Sequence, residues 1–170
     1  MVRVLGLGYA IPGTVVAIGV LIPFTWFDNT LDAWMRRNFD ISTGLLLSGT
    51  LVAVVFAYLV RFLPVALNTL DAGLGKIKPT MDDVGRSMGL RPLQILRRVH
   101  VPVMRGSLLT ASLLVFVDVL KELPATLILR PFNFNTLAIR TYELANQERL
   151  AEASSTALMI VLAGIIPVII

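Results

Sequence analysis

Asp118, Lys121 and Glu122 are the three ionisable groups of the apolar stretch from Ser107 to Leu129, at spacings i, i+3 and i+4. On a continuous helix that spacing places them on one face. Ionised groups at membrane depth cost about 2.5 to 3.5 kcal/mol each on insertion scales, so they are expected to pair and to face protein or water. Lys121 can reach Asp118 one turn back, which offsets the like-charge conflict between the two carboxylates. Such a cluster can line a translocation path, or it can bind its helix to another as a structural ion pair. Hard carboxylate oxygens suit a hard cation, yet Lys121 would compete with one, which leaves a transient waypoint and no resident metal site. Pro124 cannot donate to the Leu120 carbonyl and is expected to bend the helix near these charges. With no Cys and only His100, neither a thiolate zinc site nor a histidine metal cluster is available. Two acids one turn apart are poorly placed to flank a substrate, and no Ser/His arrangement lies at membrane depth, so no enzymatic activity is expected. The segment Gly73-Leu74-Gly75-Lys76-Ile77 lacks the distal Gly and the Ser or Thr of a phosphate-binding loop. No nucleotide site or cofactor is expected.

The elements that must position these charges are membrane helices. Of 170 residues 56% are hydrophobic and 15% charged, and the mean hydropathy of +0.79 is too high for a soluble domain, where about a quarter of residues are charged. A span needs roughly 20 apolar residues. Four segments qualify: 4–24, 44–63, 107–129 and 154–170. The first is too long an apolar run for a signal peptide and has no cleavage site after it. Arg61, the one charge of the second, is expected to snorkel from its end. Between the second and third spans lie Lys76, Lys78, Arg86, Arg91, Arg97, Arg98 and Arg105 against Asp71, Asp82 and Asp83, so that connection is expected in the cytoplasm. The first connection, with Arg36 and Arg37 against Asp28, Asp32 and Asp40, and the last, with Arg130, Arg140 and Arg149 against Glu143, Glu148 and Glu152, then lie outside, and Arg3 inside. No aromatic stands between Leu67 and Gly106 to stack a base, which argues against a nucleic-acid patch. Gly13 with Ala17, and Gly49 with Ala53 and Ala57, repeat at four-residue spacing and are expected where helices approach closely.

Residues 79–102 read as two short helices with punctuation. Thr80 and Asp83 have capping-box spacing, Gly89 suits a left-handed stop, Pro92 suits a first turn and Pro102 a close. Leu93, Leu96 and Val99 share a face of the second helix, flanked by Arg91, Arg97 and Arg98. A short amphipathic helix on the cytoplasmic side can lie on anionic lipid or plug a groove in a partner, and the doubly capped form favours the partner.

Asp83-Val84-Gly85-Arg86-Ser87-Met88-Gly89, followed nine residues later by Val99-His100-Val101-Pro102, resembles the EAA loop of binding-protein-dependent ABC importer permeases of the type I, MetI-like kind. The spacing of E-A-A-x-x-x-G, nine residues, I-x-L-P is kept, and the least conservative departures are Val84 and Gly85 for the two alanines. In that family the loop is the coupling helix held by a cytoplasmic ATPase, so the resemblance implies ATPase docking by Asp83, Gly89, Leu93, Leu96 and Pro102. Tyr9-Ala10-Ile11-Pro12-Gly13-Thr14-Val15, Lys121-Glu122-Leu123-Pro124-Ala125-Thr126 with Leu129-Arg130-Pro131-Phe132, and Leu137-Ala138 with Tyr142-Glu143-Leu144-Ala145 are similar to the ferric-iron importer permeases. Those are longer chains of two homologous halves, so this chain resembles the later part of one half. The resemblance implies a partial all-α type I permease fold, a single transmembrane domain over 1–170, and a multi-pass location in the bacterial inner membrane. It implies as partners ATPase subunits, an external substrate-binding protein, a second permease half and lipid. The rival readings are an ion-gradient-driven secondary transporter or channel using Asp118 and Glu122, and an ABC permease for thiamine, polyamine or an oxyanion.

Overall fold

The computed structural model describes residues 7–169. Arg3, the beginning of the first expected span and Ile170 lie outside the described residues. All regular structure among the described residues is helical. In chain order the helices are α1 (Leu7–Ala10), α2 (Gly13–Phe39), α3 (Leu51–Leu74), α4 (Pro79–Ser87), α5 (Pro92–Leu120), α6 (Pro124–Leu129), α7 (Leu137–Asn146) and α8 (Leu150–Ile169). Four of them, α2, α3, α5 and α8, are long and apolar enough to cross a membrane. Their outward faces carry Val15, Ile18 and Ile22 on α2, Val52, Val55 and Leu59 on α3, and Leu158, Leu162 and Ile166 on α8, all exposed. Water would reject such faces and lipid accepts them.

Small residues make the core. Ala17 of α2 and Ala53 and Ala57 of α3 are buried to within 1%, and with Val16, Val20 and Val54 they form a cradle for Ala125 and Leu129 of α6. In lipid no hydrophobic drive separates helix contacts from lipid contacts, so close backbone approach has to supply the packing. The same device joins α3 to α5 lower down: a Cβ on Gly73 would come within 2.6 Å of Ser107 Cβ. Gly49, expected on the same face as Ala53 and Ala57, is instead exposed in the preceding turn at φ +68°.

Two expected spans and one connection change shape. The first breaks at Ile11–Pro12 into α1 and α2, because Pro12 cannot donate and instead precedes a new helix start, its carbonyl accepting from Val15 and Val16 at 3.0 and 3.2 Å. Residues 107–129 are also broken. Helix α5 stops at Leu120, and Pro124, expected to bend a continuous helix, opens α6 in the first-turn position where its missing N–H is harmless. The charges assigned to the first connection lie mostly on α2, which runs to Phe39 with Arg36 and Arg37 in its last turn. Asp28, 1% exposed, accepts from Leu47 N, Ser48 N and Ser48 Oγ at 3.1, 2.8 and 2.6 Å. One turn on, Asp32 accepts from Thr43 N at 2.8 Å and Ser42 Oγ at 2.9 Å and meets Arg36 at 2.7 Å. Two carboxylates thus tie residues 42–48 back along α2, so α3 starts beside Asp28 and the end of α2 overhangs it.

Candidate functional site

The two helix breaks meet at one depth. Arg61 lies ten residues into the 24-residue α3, about 15 Å from its start at 1.5 Å per residue, well inside a helix long enough to cross a core about 30 Å thick. It does not snorkel. Its Nε is 3.4 Å from Glu122 Oε2, in the break between α5 and α6, and the Glu122 side chain is 5% exposed. Gly13, the first residue of α2, packs on both: a Cβ there would fall 2.7 Å from Glu122 Oε1 and closer still to the guanidinium. Ala125 N donates to Glu122 Oε1 at 3.1 Å, and the Thr126 hydroxyl donates to the Glu122 carbonyl at 3.0 Å and pairs with the Tyr58 hydroxyl. Arg61 Nη1 is buried with no hydrogen-bond partner among the described residues; the Phe62 ring centroid lies 5.8 Å from its guanidinium carbon.

Asp118, Lys121 and Glu122 therefore do not share one helical face. Helix α5 ends between them, and a turn closed by Glu122 N to Val119 O at 3.1 Å sends Glu122 inward. Lys121 does reach Asp118, Nζ to Oδ1 at 2.9 Å, with the lysine side chain 64% exposed. A 64% exposed ammonium beside a mid-depth helix break is untenable against lipid. No group of three metal-ligating side chains occurs among the described residues, and each carboxylate of the cluster already has a cationic neighbour.

A second candidate site lies at the other end of α3. Helix α4 has Pro79 in its first turn and Lys78 at its N-cap, so the expected Thr80 to Asp83 capping box does not form. Gly89 does take the left-handed conformation, φ +75°, after α4, and Pro92 opens α5, where Gln94 Oε1 accepts from Arg91 N at 2.8 Å. Pro102 does not close this helix. Residues Leu96–His100 form a π turn in which Val101 N donates to Leu96 O, five residues back, and α5 continues through the proline. The wider turn relieves the clash of the Pro102 ring with the preceding carbonyls. The two arms close on Gly85, whose added Cβ would lie 3.0 Å from buried Ile95 Cγ1, and His100 Nε2 stands 2.6 Å from Asp82 Oδ1. Of the residues singled out from sequence, Asp83, Gly89, Leu93 and Leu96 are exposed on this module, joined by Val84 and Met88, 58% and 73% exposed. An apolar hollow of about 330 Å³ lies beneath, bounded by Thr80, Met81, Val84, Leu90 and Val99.

Sequence reasoning missed Arg61 as a partner of Glu122, although the single charge in an otherwise apolar span was the signal for it. It also passed over Gly85, Ile95 and the Asp82–His100 contact, whose signal was the short distance in sequence between a lone histidine and an acid-rich turn.

A mid-depth break in two crossings, with a two-helix module at one end, is the arrangement against which relatives can be weighed. The chain is 32% identical over 160 residues to an Fe(3+)-transport system permease protein of Haemophilus influenzae, covering 94% of this chain and 28% of that one. It is 27% identical over 152 residues to a Salmonella typhimurium permease protein named for 2-aminoethylphosphonate transport, covering 89% of this chain and 51% of that one. A trehalose transport system permease protein of Mycobacterium tuberculosis is 29% identical over 106 residues, 62% of this chain and 38% of that one. Permeases of binding-protein-dependent ABC importers are its homologues. The chain spans between about a quarter and half of the length of these relatives. No protein-family model matches it. Homology and four apolar helices together make this permease homologue a multi-pass protein of the bacterial inner membrane.

Proposed function

We propose that this chain supplies part of the transmembrane pathway of an ABC importer and couples it to a cytoplasmic ATPase, doing no chemistry of its own. The observation that carries the reading is the module from Pro79 to Pro102. Two helical arms meet at a closely packed Gly85–Ile95 contact and present Asp83, Val84, Met88, Leu93 and Leu96 to the outside. An exposed apolar ridge on a pre-organised unit is the form that groove docking favours. Its surplus of arginine supports a cytoplasmic position.

The path side of the proposal rests on Asp118 and Lys121. The exposed Lys121 ammonium, held by a largely buried Asp118 beside two broken helices, fits a lining that meets water or a second permease half, whereas Glu122, closed in by Gly13, Arg61 and Ala125, supports the wall. ATP binding would draw two docked modules together, and the movement would pass through α5 to the break at Lys121. The cargo we infer is ferric iron, supported by the printed name of the Haemophilus relative and by the similarity of residues 9–15 and 121–132 to ferric permeases. With both acids ion-paired, iron would be passed along and not held. An external substrate-binding protein would deliver it.

The test is reconstitution of the full transporter with its ATPase and binding protein. Radiolabelled ferric iron should enter only with ATP, and Asp118→Asn with Lys121→Met should lower the uptake rate. Uptake driven by an ion gradient without ATP would replace this reading by a secondary transporter, and ATP-driven uptake of 2-aminoethylphosphonate in place of iron would correct the cargo.

A further inference from the structure

The chain's one histidine has a partner that docking alone does not require. His100 Nε2 and Asp82 Oδ1 are 2.6 Å apart, with the two side chains 20% and 32% exposed, and they join the first turn of α4 to the last residue of the π turn in α5. Gly85 against Ile95 is a second close contact between the arms. An apolar contact fixes how closely two helices approach but leaves them free to roll. A directed hydrogen bond does not.

The π turn is what aims the imidazole. It adds one residue to the turn, and in an uninterrupted α-helix His100 would be rotated by about 100° relative to the helix below it. The π turn leads directly into Pro102, so the same turn keeps α5 continuous up to the proline and points His100 at α4. His100 also borders an apolar hollow with Leu74 and Asp71 of α3 and with Met104. The imidazole thus sits where α4, α5 and the lower end of α3 come together. The contact survives either protonation state, since a neutral imidazole can donate from Nε2 and an imidazolium donates from both nitrogens.

We propose that Asp82 and His100 are positioning residues for coupling: they lock the roll of α4 on α5, so that displacement of α4 by a docked ATPase moves α5 and is not lost in the hinge at Gly89. This rests on the reading of residues 79–102 as the coupling module. Without the bond the hinge absorbs the movement, and ATP is hydrolysed with little transport.

The experiment uses the whole transporter in proteoliposomes and compares wild type with His100→Ala and His100→Gln, the latter keeping an amide donor within reach of Asp82. Uptake per ATP hydrolysed should fall about fivefold or more in His100→Ala, the lower end of ordinary coupling strengths, with the same amount of ATPase bound, and should return in His100→Gln. The sequence has no cysteine, so in a transporter whose other subunits are made cysteine-free, spin labels on Ser87→Cys and Arg105→Cys report the distance between the arms. Their distance distribution should be narrow in wild type and His100→Gln and broad in His100→Ala. An unchanged uptake ratio in His100→Ala, a His100→Gln protein as poor as His100→Ala, or an equally narrow distribution in all three would overturn the proposal. A wild type that binds no ATPase would overturn the coupling reading and the transmission with it, while the label distances still decide separately whether the clamp exists.

Discussion

Arg61 and Glu122 form an ion pair with both side chains largely buried. Removing one partner of a buried ion pair strands the other charge and typically costs about 3 to 5 kcal/mol, whereas replacing both by apolar groups of similar volume is often neutral. Arg61→Met or Glu122→Met alone should therefore lower the melting temperature of the detergent-purified protein sharply, and the double variant should recover most of the loss. Glu122→Gln should act on stability and leave the affinity for cargo unchanged, in contrast to Asp118→Asn. A Glu122→Gln protein with normal melting and impaired cargo affinity would put Glu122 back on the path. Gly13 belongs to the same site, because a side chain there meets the guanidinium and the carboxylate at once; Gly13→Val should resemble loss of the pair.

At the scale of elements, the hairpin of α2 and residues 42–48 depends on Asp28. Its carboxylate takes hydrogen bonds from two backbone amides and a hydroxyl while almost fully buried, and Asp28→Asn should weaken a charge-assisted set at a cost of about 1 to 3 kcal/mol. Limited proteolysis should then cut between Ile41 and Leu47 faster than in wild type. Gly89→Val imposes a β-branched residue at φ +75°, a local cost of roughly 1 to 2 kcal/mol. No neighbouring atom lies near its added Cβ, so the loss should come through the turn and appear as ATP hydrolysis without uptake; coupled uptake at the wild-type ratio would refute the docking role. The turn signals of this region were legible because Gly89 and Pro92 act through their own backbone. Pro102 was not, since whether a proline ends a helix or is absorbed by a wider turn depends on what the continuing helix packs against, here Met104 and Ser107 under α3. Likewise the apolar run from 107 to 129 revealed a crossing but not its break, because composition is blind to where a carboxylate finds its counter-charge. The Asp118–Lys121 bond was readable as a one-turn contact. The pairing of Glu122 with Arg61 required knowing which helices are neighbours.

At the scale of the whole molecule the charge distribution predicts sidedness, and a sequence without cysteine makes it measurable. Single cysteines at Arg91 and at Phe132, the latter 99% exposed at the tip of the turn after α6, should react with a membrane-impermeant maleimide from opposite sides: Phe132→Cys in intact spheroplasts, Arg91→Cys only after lysis. Reaction of both from one side would refute the topology and the cytoplasmic module with it.

The mid-depth ion pair also has a consequence for how the protein is made. Arg61 precedes Glu122 by 61 residues, so at about 5 to 20 residues per second a ribosome delivers the guanidinium roughly 3 to 12 s before its counter-charge. During that interval α3 carries an unpaired charge, at about 2.5 to 3.5 kcal/mol on insertion scales, and the guanidinium has to keep contact with water. A single cysteine placed beside Arg61 should therefore react faster with a water-soluble maleimide in nascent chains arrested before Glu122 than in chains arrested well beyond Leu129.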